Sequence, residues 1–236
     1  FMDSAIIGRS GSFTVKNYVY LFHSEDLRSM IFGTLILAVV VAVISTILGT
    51  LGAIGAFYSS KKLKRPIHLM NQIPVVNADV VTGFSICVLL IVFFKMDKAS
   101  YIPLVIGLVS LCSPFVYLSV IPRLKQMDPQ LYEAALDLGC SSFGALRKVV
   151  LPQLTSGIVS GFMMSITLTL DDYFITTYTK PSMFDTISTY VVNATKGAQT
   201  DVKTALWALS TIIFLIVIFV VIGMNHTGRK ENDHEI

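Results

Sequence analysis

Long apolar stretches separated by short polar ones run the length of this chain. Four windows contain no Asp, Glu, Lys or Arg: residues 29–60, 99–122, 149–170 and 204–228. A fifth window, residues 69–94, contains a single charged residue, Asp79. Because about 20 mostly apolar residues suffice for a helix to cross ~30 Å of hydrocarbon, the pattern predicts five membrane spans. We expect an all-α integral membrane fold; a soluble bundle with buried helices is the alternative.

The composition agrees with a bilayer environment. Hydrophobic residues make up 53% of the chain and charged residues 14%, whereas a soluble domain has about a quarter charged residues. The mean hydropathy is +0.70. The net charge of +3 is explained by basic loops between spans, so no nucleic-acid partner is expected, and membrane lipid surrounds the chain.

Basic residues near the span ends set the predicted orientation. They form three groups. The first lies within residues 61–65, in a tight loop after the first window. The second flanks the polar interruption between windows 99–122 and 149–170 and consists of Arg123, Lys125, Arg147 and Lys148, and the third follows the last window and consists of Arg229 and Lys230. Since Lys and Arg accumulate on the cytoplasmic side of membrane proteins, all three groups are predicted to be cytoplasmic. Residues 1–28 then form an external segment, and residues 224–236 form a cytoplasmic tail of a single transmembrane domain, 1–236.

This orientation places the N-terminus outside the cell, which is unusual without a preceding span or signal. The chain also begins with Phe1 and not with Met. We therefore expect a sixth, N-terminal span that this sequence does not include. A protein with five spans is the alternative.

Small residues recur four apart in the first window, as Gly49 with Ala53 and Gly52 with Ala56. This spacing allows close approach of helix backbones. It predicts a packing face within the subunit or against a partner, and a generic stripe of small residues is the alternative.

The polar interruption between the windows 99–122 and 149–170 is predicted to form two short helices hinged at a glycine. Asp128 is placed as the N-cap and Pro129 as the first residue of the first helix. Gly139 is placed at its end, because glycine tolerates the left-handed conformation after a helix. Ser141 or Ser142 is expected to cap the second helix.

The first of these helices is amphipathic. An apolar stripe recurs at the helical spacing i, i+3, i+4, i+7 and consists of Leu131, Ala134, Ala135 and Leu138. A polar and partly acidic stripe lies beside it and consists of Gln130, Glu133 and Asp137. In the second helix, Phe143, Leu146 and Val150 are predicted to form an apolar line. This shape fits a groove in a partner protein; an interfacial helix resting on lipid is the alternative, and the acidic stripe disfavours it.

At these residues the chain resembles the EAA loop of ABC importer permeases. The pattern is Glu133-Ala134-Ala135, three residues, Gly139, nine residues, Val149, one residue, then Leu151-Pro152; the family usually has Ile in place of Val149. The resemblance implies an ABC type I importer permease fold with six spans and a cytoplasmic coupling loop, residues 128–152, that docks into a partner ATPase. Applied to this sequence, it places these residues at that contact: Glu133, Ala134, Ala135, Asp137, Gly139, Leu151 and Pro152.

A finer resemblance is to the permease subunits of spermidine/putrescine importers, especially the C-type subunit. It rests on Phe-Thr-Val-Lys-Asn-Tyr from Phe13, on Glu-Ala-Ala-Leu-Asp-Leu-Gly from Glu133, and on Ser-Ile-Thr-Leu-Thr-Leu-Asp-Asp-Tyr-Phe from Ser165. It implies a polyamine importer of the bacterial cell membrane. The implied partners are a cytoplasmic ABC ATPase dimer, a second homologous permease and an extracytoplasmic polyamine-binding protein. ATP hydrolysis would belong to the ATPase, so this chain is expected to be a transport subunit and not an enzyme.

Aspartates inside the apolar windows indicate a path for a cation. Asp79 lies in mid-window, where a carboxylate costs about 2.5–3.5 kcal/mol on insertion scales. Asp171 and Asp172 follow Pro152 by enough residues to reach the outer half of the bilayer. A passing polycation is a natural counter-ion for these carboxylates, and Tyr173 adds a candidate cation–π contact.

Alternatives exist for these residues and for the function. The aspartate pair is otherwise a cap for an external loop, and Asp79 otherwise hydrogen-bonds Asn71 or Asn77. In another function class, the aspartates are the proton or sodium site of an ion-coupled secondary transporter. Two further alternatives for the function are a non-transporting membrane scaffold and an ABC importer permease for another small solute.

No cofactor or metal site is predicted. Gly139 and Gly144 have the spacing of a phosphate-binding loop, but no Lys-Ser/Thr follows, so the chain itself is not expected to bind ATP. The four histidines have no ligand spacing, and the three cysteines form no predicted disulfide framework.

Overall fold

The computed structural model describes residues 25–77, 79–128 and 130–196, with the single positions 211, 215, 218 and 222. Within these residues every regular element is helical, so the all-α prediction is confirmed. The fifth apolar window, 204–228, falls almost wholly outside the described residues. Residues 1–24 and the predicted tail 224–236 also lie outside them.

The helices are numbered here in chain order. They are α1 Glu25–Tyr58, α2 Lys61–Val76, α3 Asp79–Cys87, α4 Ile102–Gln126, α5 Gln130–Asp137, α6 Ser142–Ala145, α7 Leu151–Gln153, α8 Thr155–Asp171, α9 Phe174–Thr179 and α10 Ile187–Lys196. Two segments have the wider π-helical hydrogen bonding: Val88–Phe93 continues α3, and Leu146–Val150 joins α6 to α7.

Two helices, α1 and α4, are each long and apolar enough to cross a membrane, over Leu27–Tyr58 and Ile102–Gln126. Two bent helix pairs also qualify if each pair counts as one span: Lys62–Val76 with Asp79–Phe93, and Ser142–Gln153 with Thr155–Asp171. The described residues thus hold two to four spans by length and composition. The first and third predicted windows are continuous helices, and the other two described windows are broken ones.

The second window, residues 69–94, is a bent pair of helices and not one continuous helix. α2 ends at Val76 and α3 begins at Asp79, so this carboxylate lies at the start of a helix. A negative charge is favourable at that end of a helix. The basic segment 61–65, predicted as a tight loop, forms the first turns of α2, because Lys, Leu and Arg are good helix formers.

The described residues group into two compact units. The first is built from residues up to Val40, from Asp79–Leu108 and from Thr167 as far as position 218. The second is built from residues 41–77, from Val109–Ile166 and from position 222. α1, α4 and α8 contribute residues to both units.

A continuous apolar core holds the second unit together. α1, α4, and the chain from the π-helical turn to the start of α8 all contribute to it. Its buried members are Ala53, Ala56, Val116, Tyr117, Val120, Ile121, Leu124, Met127, Val150 and Leu154. The C-terminal half of α4 supplies half of them, more than any other element, so α4 is the central helix of this unit.

Glycines bring the neighbouring helices close to α4. A Cβ added to Gly49 would lie 2.6 Å from Val116 Cβ and 2.8 Å from the Ser113 carbonyl oxygen. A Cβ added to Gly161 of α8 would lie 3.0 Å from Val116 Cγ1. The small residues of the first window therefore form a packing face within the subunit, where Gly49 contacts α4 and Ala53 is fully buried.

We expect Gly49→Ala to destabilise the protein, because the Ser113 carbonyl belongs to the backbone and cannot move aside. Overpacking of this kind costs about 1–3 kcal/mol. Gly55→Ala is the matched control, since a Cβ there meets nothing within 4 Å and alanine favours helix. Thermal denaturation in detergent should lower the melting temperature of the first variant only. Equal melting temperatures would contradict the packing.

The first unit is centred on Ile175, which is fully buried in α9. A Cβ added to Gly83 of α3 would lie 3.1 Å from the Ile175 backbone nitrogen, and one added to Gly107 of α4 would lie 2.9 Å from Ile175 Cγ2. The rings of Phe84 and Tyr178 meet edge to face with centroids 5.9 Å apart. α3, α9 and the first part of α4 are thus in close contact.

A turn over residues 180–186 follows α9. The Lys180 Nζ donates to the Phe184 carbonyl oxygen at 2.9 Å and to Asp185 Oδ1 at 2.6 Å. This ion pair closes the turn on itself.

The turn continues into α10 through reciprocal threonine bonds. The Thr186 N–H donates to Thr189 Oγ1 at 3.0 Å, and the Thr189 N–H donates to Thr186 Oγ1 at 3.4 Å, which is the arrangement of a capping box. The Ile187 N–H donates to Thr34 Oγ1 of α1 at 3.2 Å. The start of α10 is therefore fixed to α1.

Candidate functional site

The predicted coupling loop forms two capped helices. Asp128 Oδ1 accepts the backbone N–H of Gln130 at 2.9 Å, and Ser141 Oγ accepts the backbone N–H of Gly144 at 3.2 Å. The predicted N-caps are confirmed, and of the two candidate serines it is Ser141 that caps the second helix. Pro129 lies outside the described residues.

Gly139 ends α5 in the left-handed conformation, with φ +84°. Its N–H donates to the Leu136 carbonyl oxygen at 2.9 Å, and the Cys140 N–H donates to the Ala135 carbonyl oxygen at 3.0 Å. These two bonds define a Schellman motif. The hinge is therefore held by backbone hydrogen bonds, and glycine is favoured there because of its φ.

The buried face of α5 does not coincide with the predicted apolar stripe. Ala135 is buried, and the Tyr132 ring lies 4.9 Å from the Tyr58 ring at the end of α1. The exposed residues of α5 and its C-terminal end are Gln130, Leu131, Glu133, Ala134, Asp137, Leu138 and Gly139. Tyr132 and Ala135 thus attach the helix to the second unit, while the exposed set combines apolar and acidic groups.

The second short helix corrects one prediction. Phe143 is 74% exposed and does not join the buried line, whereas Ala145 and Val150 are fully buried and Leu146 packs against the core. The π-helical turn explains this difference, because its extra residue per turn shifts the register of the inward face. Two basic side chains are exposed as predicted, those of Arg147 and Lys148.

The chain bends where the coupling loop enters α8. The segments Ser142–Gln153 and Thr155–Asp171 meet at 70°, and Leu154 between them is fully buried. Thr155 Oγ1 donates to the Pro152 carbonyl oxygen at 2.6 Å. Leu151 and Pro152 are exposed. Leu154 thus anchors the bend to the core.

Asp172 caps α9 in the first unit. Its Oδ2 accepts the Thr176 N–H and the Thr176 Oγ1 hydroxyl, both at 2.8 Å, and its Oδ1 accepts the Ile175 N–H at 3.4 Å. Asp172 is only 9% exposed, whereas Asp171 is exposed. Asp172 therefore has a capping role, at the start of α9, while Asp171 is exposed beside it.

Asp79 lies near this cap. α3, which begins at Asp79, packs against α9, which Asp172 caps. Asp79 is itself exposed. Asn71, considered as its partner, donates its amide to the Ile67 carbonyl oxygen at 3.0 Å. Asp79 and Asp172 therefore lie on neighbouring elements of the first unit, and these two aspartates with Asp171 are called the acidic site here.

Aromatic rings flank the acidic residues. The Tyr173 ring meets the Phe174 ring with centroids 5.3 Å apart. Within the part of the chain that the structure describes, no Lys or Arg comes within salt-bridge distance of Asp79, Asp171 or Asp172.

Two contacts were not predicted from the sequence. Tyr132 and Ala135 share a face at spacing i, i+3, and this second stripe would have indicated the attachment to α1. Asp172 and Thr176 are spaced i, i+4, a separation at which side chains on one helix turn meet. That spacing was the available signal for the cap of α9.

Comparisons with known proteins agree with the predicted resemblance. The family model for the binding-protein-dependent transport system inner membrane component matches residues 48–227. The spermidine/putrescine transport system permease protein PotC of Escherichia coli (strain K12) is 28% identical over 221 residues, which cover 93% of this chain and 81% of that protein. The putrescine transport system permease protein PotI of the same strain is 27% identical over 226 residues, covering 90% and 76%.

A solved structure supports the fold. The bacterial alginate ABC transporter in complex with alginate pentasaccharide-bound periplasmic protein contains a chain that superposes with a TM-score of 0.69 at 18% identity, covering 92% of this chain and 83% of that one. The predicted ABC importer permease fold is thereby confirmed. The chain belongs to the family of binding-protein-dependent transport system inner membrane components, the permeases of ABC importers.

Proposed function

We propose that this permease forms the membrane pathway of an ATP-driven polyamine importer and works by alternating access. The observation that carries the proposal is the pair of capped helices hinged at Gly139, in which the EAA pattern coincides with an exposed surface. The similarity to PotC and PotI, both named as polyamine permeases, supports spermidine or putrescine as the cargo. The acidic site around Asp79 provides compatible chemistry.

The exposed side of α5 is the proposed ATPase contact. Glu133 and Asp137 supply charge, and Leu138 supplies 86% exposed apolar surface for burial. Tyr132 packs on Tyr58, so a force on α5 passes to the end of α1. The ATPase must bind the two transport states with different affinity, because equal affinity would shift no equilibrium.

The proposed assembly contains this chain, a second homologous permease, an ATPase dimer and an external polyamine-binding protein. A periplasmic protein is bound in the alginate transporter of similar fold, which supports the last of these by analogy. In this assembly the coupling loop, residues 128–152, and the C-terminus face the cytoplasm.

Reconstitution tests the function. Proteoliposomes holding the complete complex, with its binding protein outside, are expected to accumulate radiolabelled spermidine only when ATP is present on the ATPase side. The same chain without its ATPase should show no uptake. Uptake by the chain alone that follows an imposed proton or sodium gradient would instead establish an ion-coupled transporter.

Asp79→Asn and Asp171→Asn test the cargo. Each is expected to lower spermidine uptake about tenfold, equivalent to about 1.4 kcal/mol of lost attraction, while basal ATP hydrolysis stays unchanged. Glu25→Gln is the matched control, because Glu25 is an exposed carboxylate of the same unit outside the acidic site. Unchanged spermidine uptake in both variants would favour another small solute.

A further inference from the structure

A pocket of about 340 Å³ lies in the second unit, where α1 and α4 end and α2 begins. α1 ends at Tyr58 and α4 at Gln126, and both helices qualify as membrane spans. Because both spans stop here, the pocket lies at the boundary between hydrocarbon and headgroups. On the predicted topology this boundary is the cytoplasmic one.

The walls of the pocket are apolar. They are formed by Ala56 and Phe57 from the last turn of α1 and by Tyr117 and Ile121 from α4. Ala56, Tyr117 and Ile121 belong to the buried core, so this surface is fixed in position. Such walls favour hydrocarbon over a hydrated ion.

The rim of the pocket is basic. Lys64, Arg65 and His68 of α2 and Lys125 of α4 line it, and no Asp or Glu is among the described residues that do so. The Lys64 Nζ lies 4.9 Å from the centroid of the Phe57 ring. The Lys64 ammonium is thus held directly over an apolar wall, and no carboxylate of the described residues pairs with it.

The start of α2 adds to this positive potential. Its first turn contains no acidic residue, and the side chain of the preceding Ser60 makes no capping hydrogen bond. The partial positive charge of this helix N-terminus is reinforced by the basic side chains, which is unfavourable without an anion. A phosphate at this position is stabilised by the helix N-terminus and by the basic side chains together.

We propose that this pocket binds an anionic phospholipid, with the phosphate at the basic rim and the upper acyl chain against the apolar walls. A soluble phosphate would use the rim alone and would leave the apolar walls without a partner. Basic pockets between transmembrane helices bind anionic headgroups in other membrane proteins. The proposal concerns lipid binding and is independent of the cargo.

Native mass spectrometry of the complete transporter tests it. After exchange into mixed micelles of dioleoylphosphatidylglycerol and dioleoylphosphatidylcholine, we expect preferential retention of phosphatidylglycerol. Lys64→Gln combined with Arg65→Gln should reduce that retention at least fivefold. Lys62→Gln is the matched control, because Lys62 is exposed on the same helix and does not line the pocket.

Two outcomes would overturn the proposal. One is equal phosphatidylglycerol retention by the double variant and the control. The other is displacement of phosphatidylglycerol by millimolar inorganic phosphate, which would identify a site for a soluble anion. Both variants change exposed side chains, so retention is measured on folded protein.

Discussion

Gly139→Val is expected to abolish ATP-driven uptake, with a loss of at least tenfold, whereas Gly139→Asn retains most of it. Gly139 has φ +84°, where residues other than glycine lose about 1–2 kcal/mol and β-branched residues are the least tolerated. Asparagine tolerates this region best among residues with a side chain. An added Cβ meets nothing within 4 Å, so the difference reflects backbone conformation and not lack of space.

Measuring both uptake and ATP hydrolysis in proteoliposomes separates a loss of coupling from a loss of the assembled complex. In the valine variant, the bonds from Gly139 to Leu136 and from Cys140 to Ala135 cannot both form, and α5 loses its fixed angle to the second short helix. We expect assembled complexes whose ATP hydrolysis no longer responds to the binding protein. Full uptake in the valine variant would show that the hinge geometry does not transmit force.

Asp172→Ala is expected to lower the free energy of unfolding by about 2–4 kcal/mol. The substitution leaves the Thr176 N–H and hydroxyl without their acceptor in a buried site, and each such loss costs about 1–3 kcal/mol. In a chain of this size the melting temperature should fall by about 5–10 °C. Thermal denaturation in detergent measures the shift.

Asp171→Ala is the control for this prediction. Asp171 is adjacent in sequence and equal in charge, but it is exposed, so its loss should leave the melting temperature within a degree or two. A transport defect in the Asp171 variant without loss of stability would assign it to the pathway. Similar melting temperatures for the two variants would contradict the capping role of Asp172.

The parts of the coupling loop that sequence reasoning predicted correctly depend on neighbouring residues. Asp128 accepts a backbone N–H from two residues along the chain, and Ser141 accepts one from three residues along. Gly139 has a conformation that few other residues adopt. Signals of such short range are readable without the tertiary structure. The same holds for the apolar windows that became α1 and α4.

The position of the break within residues 69–94 is not visible in a hydropathy window, because such a window averages over side chains and does not register backbone interruptions. Pro74 and Asn77 were the available signals, and both stand just before the end of α2 or the start of α3. The exposure of Phe143 was missed for a different reason. A template with 3.6 residues per turn fails where a π-helical turn inserts an extra residue, as it does over Leu146–Val150.

The acidic site and the basic pocket required tertiary contacts. Asp79 and Asp172 are far apart in sequence, and only the packing of α3 on α9 places them together. Lys64 and Lys125 likewise belong to different helices that meet at one pocket. Sequence spacing indicates which residues carry charge but not which of them converge.

The ion pair between Lys180 and Asp185 bears on the proposed entry of a cationic cargo. Asp172 precedes α9 and Lys180 follows it, and the six residues of α9 span about 9 Å, close to the screening distance of ~8 Å in physiological salt. An unpaired ammonium at that distance would repel an approaching polyamine. Because its Nζ is held by Asp185, Lys180 carries its own counter-charge and opposes such entry less.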